Sequence, residues 1–264
     1  MLGMCLLVLA HRVHPAWRLV VAANRDELHA RATAPAGWWD DHPDVLGGRD
    51  LEAGGTWLGV TRDGRFAALT NVREPGSMYR GPRSRGGLVR DFLAGAASPA
   101  SFLADLVPQG GGFPGFNLVV GDAGELWHWS NRGPAPRRLE PGVSGLSNAG
   151  LDTPWPKVVR ARAALGELLG GGHLDPPVSG AAEELVLSIL ADRRAAPDEA
   201  LPDTGVGLER ERLLAPAFIV SPVYGTRSST LLLIGCDGSI RLVERSFDPA
   251  GSASGTVRSA LDPR

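Results

Sequence analysis

Lysine is almost missing from this 264-residue chain: Lys157 stands alone among 27 basic residues, and the rest are arginine. Beside abundant alanine, glycine and proline, that skew reads as the mark of a GC-rich coding sequence. It also has a chemical side, because arginine makes the better forked contact to carboxylate or phosphate. A ligand bearing either group therefore stays open. Charge of one sign is lacking as well. The 27 basic residues face 29 acidic ones, a formal net charge of -2, so no global basic field recruits nucleic acid or an anionic membrane. Cysteine is scarce: Cys5 and Cys236 lie far apart with no CxxC spacing. Structural zinc and a disulfide framework are both unexpected, and no metal site is assigned. Long apolar runs are absent too. "CLLVLA" is too short to cross a bilayer, is broken by His11 and Arg12, and lacks the basic leader and cleavage site of a secretory signal. The expectations are a cytoplasmic protein without stable membrane insertion and without a nucleic-acid partner. Its ligand or substrate is expected to be a small molecule.

The hydrophobic share, 43%, is that of a globular chain. "CLLVLAHRV" and "WRLVVAAN", separated by "HPA", predict a hairpin of two buried strands. An irregular stretch follows to Asp50, then two strands around the Asp63-Gly64 turn. "SRGGLVRDFLAG" and "PASFLADLV" predict short helices with serine near their N-caps. "GFNLVVGDAGELWHWSN" predicts another hairpin, turning at "DAGE". The clearest helices are "TPWPKVVRARAALGELLGG" and "SGAAEELVLSILADRR". Residues 195–216 read as a polar surface loop, and two final strands turn at Asp237-Gly238. Strands, helices and strands again predict a layered α+β fold. We expect one domain over residues 1–250 and a loose tail over 251–264.

Cys5 admits two readings. At the head of an apolar strand it is a small buried hydrophobe. If translation starts at Met4 rather than Met1, removal of that methionine instead leaves Cys5 first, with its α-amine able to act as base for its own thiol. "NRDE", Asn24 to Glu27, is either a solvated strand end or a cluster in which Arg25 stabilises a thiolate while a carboxylate orients an amine. The tryptophans read as core. Trp127 and Trp129 share a strand face, and His128 between them reads as hydrogen-bonded rather than metal-ligating. "GGTWLG" marks a turn and lacks the Lys-Ser/Thr pair of a phosphate loop.

"MCLLVLAHR…RLVVAANRDE", "GGTWLGV", "FAALTN", "GFNLV", "GLSNA…TPW" and "YGTRSSTLLLI" recur in this order, from Cys5 to about Arg245, in the NRDE-motif family, also called the transport and Golgi organisation family. On these blocks the chain is identified as a member. The resemblance implies an initiating Met-Cys, hence a start at Met4. It also implies kinship with N-terminal nucleophile hydrolases, four-layer αββα sandwiches of two antiparallel sheets. Carried over from their cysteine branch, Cys5 is the nucleophile, Arg25 sits by the sulfur and Asp26 holds the α-amine. Asn71 helps bind an oxyanion, and Asn148 and Arg227 complete the site. One departure stands out. The cysteine acylases place their Asp three residues after the Arg, whereas Asp26 is adjacent to Arg25. Adjacent strand residues face opposite ways, so Asn24 and Glu27 stay as further candidates.

Two functions follow as expectations. One is a hydrolase or acyltransferase acting on an amide or thioester of a small molecule. The other is a non-catalytic carrier of haem, lipid or acyl-CoA on the same fold. No cofactor is required for the first; for the second, haem is held through a single His or Cys, or in an apolar cleft with arginines on its propionates.

Overall fold

The two opening runs do form a hairpin, β1 (Met4–His11) and β2 (Trp17–Leu28), in a computed structural model that describes residues 4–74 and 84–262. Strand alternation gives each run two apolar faces. Leu7, Leu9, Leu19, Val21 and Ala23 enter one core, while Leu6, Val8, Val20 and Ala22 enter another. A strand buried on both faces belongs in the middle of a sandwich, and both strands are there.

One sheet has six antiparallel strands in the order β10 (Gly142–Leu146), β1, β2, β11 (Tyr224–Gly235), β12 (Ile240–Phe247) and β13 (Ala253–Leu261). The other has seven, in chain order: β3 (Thr33–Trp38), β4 (Val45–Asp50), β5 (Leu58–Thr61), β6 (Phe66–Asn71), β7 (Phe116–Gly121), β8 (Leu126–Ser130) and the two-residue β9 (Arg137–Arg138). Three apolar layers hold them. Leu7, Val21, Leu46, Val60, Phe66, Val119 and Leu232 fill the space between the sheets. Outside the six-stranded sheet lie α3 (Pro156–Gly170) and α4 (Gly180–Leu190), which pack Val158, Leu165, Val186 and Leu190 against Leu6, Val8 and Leu231. Outside the seven-stranded sheet, α1 (Gly86–Ala94) and α2 (Pro99–Leu106) bring Phe92 and Leu103 onto Leu69, Leu118 and Trp129. The result is the four-layer αββα sandwich of two antiparallel sheets that the resemblance implies.

Local chemistry explains the boundaries. Ser98 caps α2 by accepting from the Ser101 N–H, with Pro99 in the first turn, and Ser179 caps α4 through the Ala182 N–H. The Asp122 carboxylate accepts from the N–H groups of Gly124 and Glu125 and so turns the β7–β8 hairpin. Gly55 abuts the start of α1: a Cβ there would lie 2.5 Å from the Gly86 carbonyl.

Three expectations need correction. The stretch up to Asp50 is not irregular. It carries β3 and β4, which Pro35 and a register shift between Ala34 and Gly37 disguise, and both features are tolerated on an edge strand. The segment 195–216 is not wholly loop, because α5 (Leu208–Leu214) buries Glu211 and Leu214. The tail is not loose. Residues 253–261 pair along β12 from Phe247 to Ile240 as β13, and the glycine and serine content marks only its exposed faces.

Candidate active site

At one end of the six-stranded sheet β1, β2, β11 and β12 border a cavity of about 950 Å³, closed on the far side by β4, the end of β6 and the start of α1. Cys5 and Arg25 are cross-strand partners, so their side chains share the cavity face. Cys5 is only 7% exposed, yet it lines the cavity. Its carbonyl accepts from Ser147 Oγ at 2.9 Å. The carbonyl of Ser147 in turn accepts from Thr70 Oγ1 at 2.6 Å, which ties the start of β1 to the seven-stranded sheet.

Burial pushes the Cys5 thiol up to about 12, and the Asp26 carboxylate pushes the same way. A backbone hydrogen bond from Asp26 and the Arg25 guanidinium oppose this and lose. With residue 4 attached, the sulfur is therefore a thiol at neutral pH. Arg25 is largely sheltered, and its described charge partner is Glu27 Oε2 at 3.8 Å. Glu27 also accepts from its neighbour, the Leu28 N–H, and lies 3.9 Å from Arg31.

Asp26 and Asn24 point the other way, toward the helices. Asp26 is 1% exposed. Its Oδ1 accepts from Thr226 Oγ1 at 2.6 Å, while Oδ2 has no hydrogen-bond partner among the described residues. Burial raises its pKa to about 6, against the lowering pull of Lys157, Thr226 and Arg25. Because β1 and β2 pair Met4 with Asp26, this carboxylate lies beside the peptide that precedes Cys5, and it still borders the cavity. Asn24 is engaged elsewhere. Its Nδ2 donates to the carbonyls of Leu190 and Ala217, both at 2.8 Å, and its Oδ1 accepts from Ser229 Oγ at 2.6 Å.

Of the more distant candidates, Asn71 and Arg227 line the cavity. Arg227 sits at a bulge between Thr226 and Ser228 and donates to the carbonyls of Leu28 at 2.8 Å and of His29 and Arg31 at 3.1 Å, bracing the turn after β2. Asn148 lies behind the cavity wall: its Nδ2 donates to the Asn71 carbonyl at 2.8 Å, and its own carbonyl accepts from the Arg73 N–H at 2.8 Å. It positions Asn71. The structure thus gathers Cys5, Arg25, Asp26, Glu27, Asn71 and Arg227, puts Asn148 one layer behind, and leaves Asn24 on the helix side.

Sequence reasoning missed four neighbours. Ser228 is the β11 partner of Arg25, and Glu244 beside it accepts from the Ala36 N–H at 2.7 Å, its pKa raised by burial. Arg85 lines the same cavity. The fourth is Lys157, buried in α3 near Asp26. Its rarity was the available signal. His128 Nε2 lies 3.4 Å from Asn117 Oδ1, and burial drops its pKa to about 4. Among the described residues no group of three His, Cys, Asp or Glu side chains could hold a metal ion, and no helix is long and apolar enough to cross a membrane.

Fold and site together define an αββα sandwich with a cysteine at the head of a central strand, on the wall of a cavity. The chain belongs to the transport and Golgi organisation 2 family, whose model matches residues 4–249. It is 36% identical over 243 residues to a transport and Golgi organization protein 2 homolog of Bos taurus, covering 88% of this chain and 87% of the relative. The Homo sapiens homolog is 35% identical over 247 residues at the same coverages, 88% and 87%. Among solved structures, the chain is similar to a Caenorhabditis elegans ortholog of N-acylethanolamine-hydrolyzing acid amidase at 13% identity and a TM-score of 0.49, covering 87% of this chain and 92% of that one. It is also similar to a conjugated bile acid hydrolase from Clostridium perfringens at 10% identity and a TM-score of 0.48, covering 98% and 92%.

Proposed function

We propose that the chain acts as an N-terminal cysteine hydrolase or acyltransferase on an amide or thioester of a small molecule, with Cys5 as nucleophile once residues 1–4 are removed. The observation that carries this reading is the free Oδ2 of Asp26, buried beside the peptide that precedes Cys5. An unpaired buried carboxylate oxygen is costly, and the α-amine that processing would create at Cys5 would supply a donor for it. The same cut brings a base to a thiol that burial otherwise keeps protonated.

In the proposed cycle the amine of Cys5 takes the S–H proton as the sulfur attacks the carbonyl carbon. The resulting oxyanion is met by the Asn71 side chain and backbone N–H groups, donors of a kind worth a few kcal/mol to the transition state. The C–N or C–S bond breaks, the proton passes from the α-amine to the leaving group, and an S-acyl enzyme remains. Water or another acceptor, deprotonated by the same amine, then releases the acyl group and restores the thiol. Arg25, beside the sulfur, favours the thiolate in both halves.

The test has two parts. Intact-mass analysis should find the cellular protein beginning at Cys5. Iodoacetamide and an electrophilic acyl probe should then modify that form and spare a Cys5→Ser variant. A protein that keeps Met4, or labelling that persists in the variant, would overturn the reading. For the carrier alternative, the described residues lining the cavity include no histidine, methionine or tyrosine, which leaves Cys5 as the sulfur ligand they offer a haem iron.

A further inference from the structure

The nucleophile and the oxyanion donor of the proposed reaction stand on different sheets. Cys5 is on β1 of the six-stranded sheet, and Asn71 ends β6 of the seven-stranded one. The apolar side chains between the sheets attract without direction, so they do not fix the spacing of two such residues. The dipeptide Ser147-Asn148, just after β10, does. On one side the Ser147 hydroxyl donates to the Cys5 carbonyl at 2.9 Å. On the other side the dipeptide meets the end of β6 and the residues after it at three points. Thr70 Oγ1 donates to the Ser147 carbonyl at 2.6 Å, Asn148 Nδ2 to the Asn71 carbonyl at 2.8 Å, and the Arg73 N–H to the Asn148 carbonyl at 2.8 Å. The chain of bonds continues inward from Thr70. Asn117 on β7 donates through Nδ2 to Thr70 Oγ1 at 3.2 Å and to the Ala149 carbonyl at 2.8 Å, which sets its amide orientation. Its Oδ1 is then the acceptor that faces His128 Nε2 at 3.4 Å. The donors run one way, from His128 through Asn117 and Thr70 to the Ser147 carbonyl, and Ser147 passes the link on to Cys5.

Thr70 and Asn117 are wholly buried, and Ser147 and Asn148 are each 2% exposed. Four buried polar side chains are a costly way to join two sheets, because apolar groups of the same shape would serve as well or better. What they add is direction. We propose that Ser147 and Thr70 are positioning residues that set the Cys5 sulfur against the Asn71 oxyanion donor, so that acyl transfer depends on them while the reactivity of the sulfur itself does not. This rests on the reading of Cys5 as an N-terminal nucleophile. Such a constellation has to be held to within about 0.5 Å of its productive geometry, and a misplacement of about 1 Å costs on the order of a hundredfold in rate. A polar chain that merely filled space would carry no such penalty.

Two reagents separate alignment from reactivity in protein beginning at Cys5. With iodoacetamide the sulfur displaces iodide from a methylene carbon, and no oxyanion forms. With 4-nitrophenyl acetate the sulfur attacks the ester carbonyl, an oxyanion forms at Asn71, and 4-nitrophenolate leaves an S-acetyl enzyme. Thr70→Val keeps the side-chain shape and removes the hydroxyl. It should slow the release of 4-nitrophenolate by about 10- to 100-fold and leave alkylation at the wild-type rate. Thr70→Ser, which keeps the hydroxyl, should restore the ester reaction. Equal slowing of both reagents would mark general loosening and overturn the proposal. So would an ester rate that Thr70→Val leaves unchanged or that Thr70→Ser does not restore. Should Thr70→Val not fold, Ser147→Ala breaks the link at the Cys5 carbonyl instead and is read with the same two reagents. Failure of the underlying reading looks different: the wild-type chain beginning at Cys5 then yields no S-acetyl adduct in intact-mass analysis, and the proposal falls with it.

Discussion

Asp26 is charged at neutral pH despite its surroundings, and that gives stability a pH dependence. Its pKa rises to about 6 because burial penalises the carboxylate more than Lys157, Thr226 and Arg25 favour it. A carboxyl raised above its unfolded value stabilises the fold most when protonated. The contribution is full below about pH 4 and lost as pH climbs through about 6. Asp26→Asn, which keeps an acceptor for Thr226, removes that loss. Denaturant unfolding should therefore show the variant gaining on wild type between pH 4 and 7, by up to about 3 kcal/mol on the linkage conversion. A difference constant with pH would contradict it. The same variant should lower the Cys5 thiol in the chain that retains residue 4, because the Asp26 carboxylate is one of the causes that push it up. The pH profile of iodoacetamide alkylation checks this, and a midpoint that stays put or rises would count against it.

At the scale of the element, β2 carries the site on one face and its own anchorage on the other. Asn24 closes two carbonyls, of Leu190 at the end of α4 and of Ala217 in the segment before β11. Asn24→Ala should cost about 2–4 kcal/mol, since it strands two buried acceptors and the Ser229 hydroxyl; chemical denaturation measures it. Gly55→Ala should cost about 1–3 kcal/mol for a different reason: the new Cβ meets backbone, the Gly86 carbonyl, and α1 must shift to admit it. An unchanged denaturation midpoint would refute either. The alternation that splits "NRDE" between two faces was legible from strand geometry alone, and so was the pairing of Asn24 with Asp26. What was not legible is that β2 runs on to Leu28 without a break, because nothing in four consecutive polar residues says that both faces are enclosed. The same gap hid α5. Glu211 belongs to a core only because Arg73, far away in sequence, answers its charge.

For the whole molecule, the question is how a sandwich with an open end keeps its edges. The layers, the hairpins and the capped helices were readable because each follows from local periodicity, while the convergence of Cys5, Asn71 and Arg227 needed the family blocks, since residues so far apart share no local pattern. The edge was misread. Residues 253–261 look like a solvated tail because β13 is exposed along most of its length, yet they pair with β12 and line the cavity mouth through Ser254, Gly255, Thr256 and Val257. Arg258 reaches over to Glu183 on α4, and Arg245 of β12 to Glu184, so charged side chains flank the border of the sheet. Deleting residues 251–264 removes that border and bares the β12 backbone, a ready template for pairing with another chain. The expected outcome is a melting temperature lower by several degrees, as follows from about 1–2 kcal/mol in a chain of this size, together with concentration-dependent self-association in sedimentation velocity. A truncated protein that melts like the full chain and stays at its original sedimentation coefficient would show that β12 needs no cover, and that the cavity keeps its shape without its outer strand.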